Sequence, residues 1–191
     1  MKKIYQKNLG WPGNTLFRFK MFKEQLAALA EFDYMFFLNA NTKFMQKVDE
    51  EILPPDEIGL LVVQHLGYFN KNNLQFTYDR NPQTHAYIPY GTGKFYVMGA
   101  FNGGTREAFT RLIETIDAWA DEDYAKGQIP VWHDESYLNR YILEHSYKIL
   151  SPAYLYPEDW QIPFECKVLI LDKRKFGGNA YMRGQTDVKS I

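Results

Sequence analysis

Apolar residues fall into a few dense blocks separated by polar, turn-rich stretches. Asn8-Leu9-Gly10-Trp11-Pro12-Gly13-Asn14 is turn-rich, and Asn14 or Thr15 is placed to cap a helix carrying Leu16, Phe19, Phe22, Leu26 and Leu29 on one stripe. The next block, Tyr34-Met35-Phe36-Phe37-Leu38, has no room for alternating polar residues, so it reads as a strand buried on both faces. It stops at Asn39-Ala40-Asn41. Ile58-Gly59-Leu60-Leu61-Val62-Val63 reads as a second buried strand, running out into Gln64-His65-Leu66-Gly67. Phe95-Tyr96-Val97-Met98 is strand-like and is expected to break into a loop at Gly99-Ala100-Phe101-Asn102-Gly103-Gly104.

From about Thr105 to Trp119, Ala108, Phe109, Leu112, Ile113, Ile116 and Trp119 recur at helical spacing and are expected to be buried. Asp134 and Glu135 suit the first turn of a helix carrying Leu138, Tyr141 and Ile142, because carboxylates complement a helix N-terminus. Ser151 to Pro157 is an irregular, proline-bounded segment, and Lys167-Val168-Leu169-Ile170-Leu171 is a last strand. Strands alternating with helices argue an α/β fold. The whole chain, 1–191, reads as one domain, with a basic tail at about 172–191 whose Lys173, Arg174, Lys175 and Arg183 either belong to a solvated terminus or fold over a polyphosphate and close the site.

Composition narrows the function classes. Hydrophobic residues make up 46% and charged residues 24%, which is ordinary for a globular domain. A formal net charge of −1 gives no reason to expect nucleic acid or a membrane surface as partner. Cys166 is the single cysteine, so no internal disulfide forms. No apolar run approaches membrane-spanning length and the start has no secretory h-region, so a soluble, cytoplasmic protein with no transmembrane segment is expected. The aromatic share of 17% is high, and aromatic faces stack on sugars and bases as well as building cores.

Candidate chemistry collects where apolar runs end. Asn39 and Asn41 flank Ala40; Gln64 and His65 close the second strand; the Gly99–Gly104 segment closes the third. Strand ends converging on one cleft is the usual plan of an α/β site. Trp132-His133-Asp134-Glu135 adds an aromatic and two carboxylates, the pairing a sugar site needs: the ring stacks on the sugar and a carboxylate meets positive charge at the anomeric carbon. His133 lacks the second histidine of a helical zinc motif, and no metal site is expected. His85 and His145 have no evident partners and read as surface residues. Gly103-Gly104 before a helix would admit a phosphate, or would merely be a glycine pair.

With these residues in view, the chain resembles glycosyltransferase family 6, the family of the histo-blood-group A and B transferases, the α-1,3-galactosyltransferases and soluble bacterial relatives. The resemblance is collinear from Asn8 to about Arg183. It rests on Phe76-Thr77-Tyr78-Asp79-Arg80, Ala86-Tyr87-Ile88-Pro89, Trp132-His133-Asp134-Glu135-Ser136 with Leu138-Asn139, and Leu150-Ser151-Pro152-Ala153-Tyr154-Leu155. It implies a GT-A-type mixed sheet flanked by helices. It also implies retaining transfer of galactose or N-acetylgalactosamine from a UDP-sugar donor to the 3-hydroxyl of a β-galactoside acceptor.

The resemblance assigns roles position by position. Asn39 and Asn41 stand where the animal enzymes have the Asp-x-Asp that holds manganese. This Asn-x-Asn pattern matches a metal-independent bacterial branch, since neutral amides do not replace carboxylates around a hard dication. Arg18, Asn39, Ala40, Asn41, Met98, Gly99, Ala100, Asp134, Lys175 and Arg183 are implied donor contacts. His65 and Trp132 are implied acceptor contacts, and Glu135 the catalytic carboxylate, as nucleophile or as stabiliser of an oxocarbenium-like state. Met98-Gly99-Ala100 is the triplet of the galactose-specific blood-group form, where the N-acetylgalactosamine-specific form has Leu-Gly-Gly.

Two departures stand out. The strand–helix–strand stretch that supplies much of the family's uracil and ribose pocket is expected to be missing, because Met1 falls just before Asn8-Leu9-Gly10-Trp11. Leu66 replaces a usual proline after the acceptor histidine. A UDP-sugar hydrolase and a non-catalytic sugar- or nucleotide-binding protein stay open as alternatives.

Overall fold

The computed structural model describes residues 3–183. The N-terminal apolar stripe is not one helix. It forms three short ones, α1 (Gly13–Leu16), α2 (Arg18–Lys23) and α3 (Leu26–Leu29). Pro12 stands at the N-cap of α1, and no side chain caps it. Asn14 instead accepts the Leu9 N–H at 2.7 Å and donates to Asn8 at 2.7 Å, so its amide is spent on the preceding turn. Leu16 and Phe19 are buried while Leu26 and Leu29 pack at the margin of the core.

The strands are β1 (Tyr34–Leu38), β2 (Thr42–Phe44), β3 (Leu60–Gln64), β4 (Val97–Thr105), β5 (Lys148–Leu150), β6 (Tyr156–Pro157) and β7 (Val168–Ile170). Four of them make a mixed sheet in the order β1-β4-β3-β5, with β3 and β5 parallel and the other pairs antiparallel; β2-β7-β6 makes a small second sheet. This is an α/β fold of the expected kind, with one correction. β1 is an edge strand, and only Met35 in it is buried. The strand buried on both faces is β3, where Leu61, Val62 and Val63 are each 0% exposed.

A second correction concerns Gly99–Gly104, which is strand rather than loop. A Cβ at Gly103 would lie 2.3 Å from the Met35 carbonyl oxygen, and one at Gly104 would lie 2.0 Å from that of Gly59. Glycine is therefore demanded by close strand approach, not by a phosphate. The register slips in mid-strand: Val62 faces Asn102 but Val63 faces Met98. The three residues between, Gly99, Ala100 and Phe101, form a bulge, a device that re-aims side chains beside a site.

α4 (Arg106–Ala125) begins at a Thr105 side-chain cap and buries Ala108, Phe109, Leu112, Ile113 and Ile116, but Trp119, expected to be buried, is only partly so, packed at the margin of the core; burial continues at Ala120 and Asp123. α5 (Asp134–Tyr141) packs on α4 and on β4. Leu112, Ile113, Ile116, Tyr137 and Leu138 fill the space between these helices and the sheet, each burial contributing roughly 1.5–3 kcal/mol for an aliphatic side chain. On the other face Leu61, Val63, Phe101, Leu155 and Val168 make a second cluster.

The two histidines read as loose surface residues are both engaged. The fully buried Asp123 carboxylate accepts the His85 backbone N–H at 2.8 Å and the Tyr137 hydroxyl at 2.9 Å, and meets the His85 ring at 2.6 Å. The His145 ring stacks on Tyr141 at 3.9 Å. In the tail, Lys173–Phe176 is a 3₁₀ turn and α6 (Gly178–Met182) follows. The rest of the basic tail, 184–191, lies outside the described residues.

Candidate active site

The site is assembled where α5 starts against the β4 bulge. Asn139 of α5 holds the two together: its side chain accepts the Val97 N–H and donates to the Val97 carbonyl, each at 2.9 Å. Behind the preceding loop, the buried Asp79 carboxylate accepts the N–H groups of Asn81 and Val131, each at 2.8 Å. The Trp132 indole N–H donates to Thr77 at 3.1 Å, and its backbone N–H donates to Ser136 at 3.0 Å. His133 then adopts φ +53°, a conformation rarely taken outside glycine and one often found at functional sites. That turn delivers Asp134 and Glu135 to the first turn of α5.

The two carboxylates have separate surroundings. Glu135 accepts the Gly99 N–H at 2.8 Å on one oxygen and the Tyr96 hydroxyl at 3.0 Å on the other. Burial pushes its carboxyl up to about 7; the Gly99 bond opposes this, and nearby Asp134 adds to it. Asp134 is 3% exposed and meets Arg18 at 2.5 Å. Burial raises its carboxyl to about 6, with the Arg18 charge working against the rise. Arg18 also donates to the Gly99 carbonyl at 3.3 Å and lies over the Phe37 ring, 4.7 Å from its centroid.

A cleft of about 730 Å³ opens beside these groups. Arg18, Asn39, Met98, Gly99, Ala100 and Asp134 line its donor-side expectations, with Glu135, His65, Trp132 and Arg183 on the same cleft. The His65 Nδ1 accepts the Gly67 N–H at 3.0 Å, which leaves the ring proton on Nε2. Burial, with Lys71 nearby, lowers His65 to about 4, so the ring is a neutral donor at pH 7. Arg183 lies over Trp11, 3.4 Å from the ring centroid.

Three expected residues sit elsewhere. Ala40 and Asn41 line an adjoining cavity of about 420 Å³, which shares Asn39 and Lys173 with the neighbouring cleft. Lys175 is not brought to either cavity; it pairs with Glu158 at 3.0 Å and Asp159 at 2.8 Å. Lys173 takes the place expected of it. The reason is the 3₁₀ turn, in which residues three apart eclipse: Lys173 and Phe176 share the cavity side and Lys175 does not. Burial and the charges of Arg18 and Arg183 lower the Lys173 ammonium. Among the described residues neither Lys173 nor Arg183 meets a carboxylate.

Asn41 donates its amide N–H to the Leu171 carbonyl at 2.8 Å, and among the described residues no three His, Cys, Asp or Glu side chains gather as a ligand group. Asn39 and Asn41 offer neutral amide oxygens where a hard dication prefers carboxylates. Tyr96 and Thr77 carry no sequence signal of a site role, and Lys173 is marked in the sequence only as one of the tail's basic residues. Tyr96 lay inside an apolar block with nothing to mark its hydroxyl, and Lys173 was one of three adjacent cations.

A model of glycosyltransferase family 6 matches residues 5–179. The chain belongs to that family. Over 129 residues it is 40% identical to histo-blood group ABO system transferase 2 of Rattus norvegicus, covering 67% of this chain and 37% of the rat protein. Over 166 residues it is 32% identical to the O-antigen biosynthesis glycosyltransferase WbnI of Escherichia coli, covering 86% of this chain and 70% of that protein. Over 129 residues it is 36% identical to globoside alpha-1,3-N-acetylgalactosaminyltransferase 1 of Gallus gallus, covering 67% of this chain and 36% of that relative. This family 6 chain thus spans little more than a third of the two animal proteins. None of its described helices is long and apolar enough to cross a membrane.

Proposed function

We propose that the cleft transfers galactose, or N-acetylgalactosamine, from its UDP form to the 3-hydroxyl of a β-galactoside, in α linkage, with retention and without a divalent metal. The observation that carries this reading is Glu135, held by the Gly99 N–H and the Tyr96 hydroxyl on the wall of a cleft that also contains His65 and Trp132. The rat and chicken relatives, an ABO transferase and an α-1,3-N-acetylgalactosaminyltransferase by name, support the same chemistry.

The residues divide the work as follows. The bond from the sugar's anomeric carbon to the diphosphate breaks, and its electron pair leaves with UDP. Lys173 and Arg183 offset that charge, as cations do where no metal is held. The ionised Glu135 carboxylate faces the positive anomeric carbon, as nucleophile or as stabiliser. The acceptor 3-hydroxyl then attacks, and its proton goes to the departing diphosphate. Trp132, 46% exposed, offers a ring to the apolar face of the galactoside, and His65 Nε2 offers it a hydrogen bond.

The test is incubation with a panel of UDP-sugars, with and without lactose-type acceptors, all in EDTA. An α-linked trisaccharide formed at full rate in EDTA is expected. Free sugar without trisaccharide would make the protein a hydrolase. Bound UDP-sugar without turnover would make it a binding protein, and an absolute manganese requirement would overturn the metal-free mechanism.

A further inference from the structure

Asn102 has no part in the chemistry above, yet it is a polar residue set into the core of the sheet. It stands in β4 between Phe37 of β1 and Val62 of β3, and it is 1% exposed. Cross-strand partners share a face, so its amide lies among apolar neighbours on the side covered by α2, α4 and α5. Its nitrogen donates to the Gly99 carbonyl at 3.1 Å, and its oxygen has no hydrogen-bond partner among the described residues. Only the nitrogen can donate to a carbonyl, so the amide cannot turn round to satisfy its oxygen. A buried acceptor left in this state costs stability, and an apolar residue at this position would avoid the cost.

We propose that Asn102 is a positioning residue for Glu135, acting through Gly99. The proposal rests on the transferase reading and adds to it a residue that does not line the cleft.

Three observations carry it. First, Gly99 is held at both of its ends. Its N–H donates to Glu135 at 2.8 Å, while its carbonyl accepts Asn102 at 3.1 Å and Arg18 at 3.3 Å. Second, Gly99 cannot hold itself. It opens the bulge, where the ladder to β3 slips between Val62 and Val63, and glycine has the widest backbone freedom of any residue. The Asn102 amide reaches back across the bulge and ties its two ends together. Third, α5 leaves no room for another means of fixing this backbone. A Cβ at Gly99 would stand 3.3 Å from the Glu135 Cβ.

The Gly99 N–H favours the ionised form of Glu135 and opposes the effect of burial. A bulge free to turn about Gly99 aims that N–H less well and leaves the carboxyl harder to ionise. The other polar groups around Glu135 are His133 and Asp134 at the start of α5, Arg18 of α2, the Tyr96 hydroxyl, His65, and Lys173 and Arg183 of the tail. Among the described residues none of these bonds to the Asn102 side chain, so a change at Asn102 reaches Glu135 through Gly99.

The experiment is the carboxyl NMR titration of Glu135 in the full chain, beside kcat and KM against pH. The variant is Asn102→Val, which keeps a strand-forming side chain and removes the amide. Its Tm is expected at or above that of the wild type, because the unpaired oxygen leaves with the donor. Asn102→Ala serves where the valine variant does not fold. The Glu135 midpoint is expected to rise from about 7. A rise to about 8 cuts the ionised fraction, and kcat with it, roughly ninefold at pH 6 and about twofold at pH 8. The KM for the acceptor should not change, since Asn102 does not line the cleft. A folded variant whose Glu135 titrates as in the wild type, or whose acceptor KM rises while kcat holds, overturns the proposal. A raised midpoint supports it, even in a protein that transfers no sugar, an outcome that would overturn the transferase reading alone.

Discussion

Arg18 and Asp134 meet at 2.5 Å on the cleft wall, and Asp134 is almost wholly buried. Asp134 ionises only above about 6 in the fold, against an ordinary value near 3.8, because burial outweighs its ion pair. A carboxyl raised on folding contributes stability at low pH and loses it as pH rises through the folded value. Arg18→Ala removes the one charge opposing the rise. The variant should lose up to about 3 kcal/mol at pH 8, where Asp134 must either stay charged without a partner or take up a proton, and much less at pH 5, where it is already mostly protonated. Urea unfolding at both pH values checks this; equal losses would mean that Asp134 does not take up the proton.

Glu135→Gln should lower turnover on the order of 10²-fold or more while UDP binding persists, because the carboxylate charge faces a developing cation. The same substitution should stabilise the protein. Glu135 is held up at about 7, above its ordinary 4.5, so its ionised form costs stability that grows between those values. The variant should gain on the order of 2 kcal/mol at pH 8 and almost nothing at pH 4, read as a Tm difference. A residue with only a packing role would show no such pH-dependent gain.

Tyr96→Phe keeps a fully buried ring and deletes one hydroxyl from Glu135. The hydroxyl donates to the charged carboxylate, so its loss makes ionisation harder. The acid limb of kcat/KM, expected near pH 7 in the wild type, should move upward, and kcat at pH 6 should fall more than kcat at pH 8. The KM for the acceptor should stay put, since Tyr96 is buried beneath Glu135 rather than on the cleft wall. An unmoved limb would show that Tyr96 does not set the Glu135 charge.

Lys173 and Lys175 separate the two readings of the tail. Lys173→Ala should weaken UDP binding several-fold and reduce its salt dependence, because a cation on the cleft is lost. Lys175→Ala should leave UDP binding unchanged, its ammonium being occupied by Glu158 and Asp159. Isothermal titration at two salt concentrations distinguishes them; equal losses would mean that the tail rearranges on binding.

Why the sequence does not separate Lys173 from Lys175, while Glu135 stands out, is a question of range. Trp132-His133-Asp134-Glu135 is contiguous, and a helix N-terminus fixes where its carboxylates point, so the position of both carboxylates on the cleft was legible. The β3 run and the α4 periodicity were legible for the same local reason. The failures are non-local. Tyr34–Leu38 has the composition of a central strand and sits at an edge, because strand order is not written in strand composition. Gly99–Gly104 has the composition of a loop, yet its glycines serve backbone contact with Met35 and Gly59 across the sheet. Lys173 was chosen over Lys175 by one 3₁₀ turn, a choice that three adjacent cations do not disclose.

The donor sugar is expected to be galactose in preference to N-acetylgalactosamine, and the reason is space at the bulge. Met98 and Ala100 flank Gly99, and all three line the cleft beside Glu135. An acetamido group on the sugar's second carbon needs volume that a Met side chain and an Ala methyl remove. Differences of one or two methylenes discriminate by roughly 10- to 200-fold, so some leakage to the larger donor is expected. Met98→Leu with Ala100→Gly should therefore narrow or reverse the ratio of kcat/KM for UDP-galactose over UDP-N-acetylgalactosamine. Ala100 is 5% exposed and the bulge is anchored on both sides, so the double variant should keep its fold. Gly99 is the internal control. A Cβ there would stand 3.3 Å from the Glu135 Cβ, so Gly99→Ala should depress turnover with both donors alike. Wild type that prefers the acetamido sugar, or a double variant with an unaltered ratio, would show that these two side chains do not choose the donor.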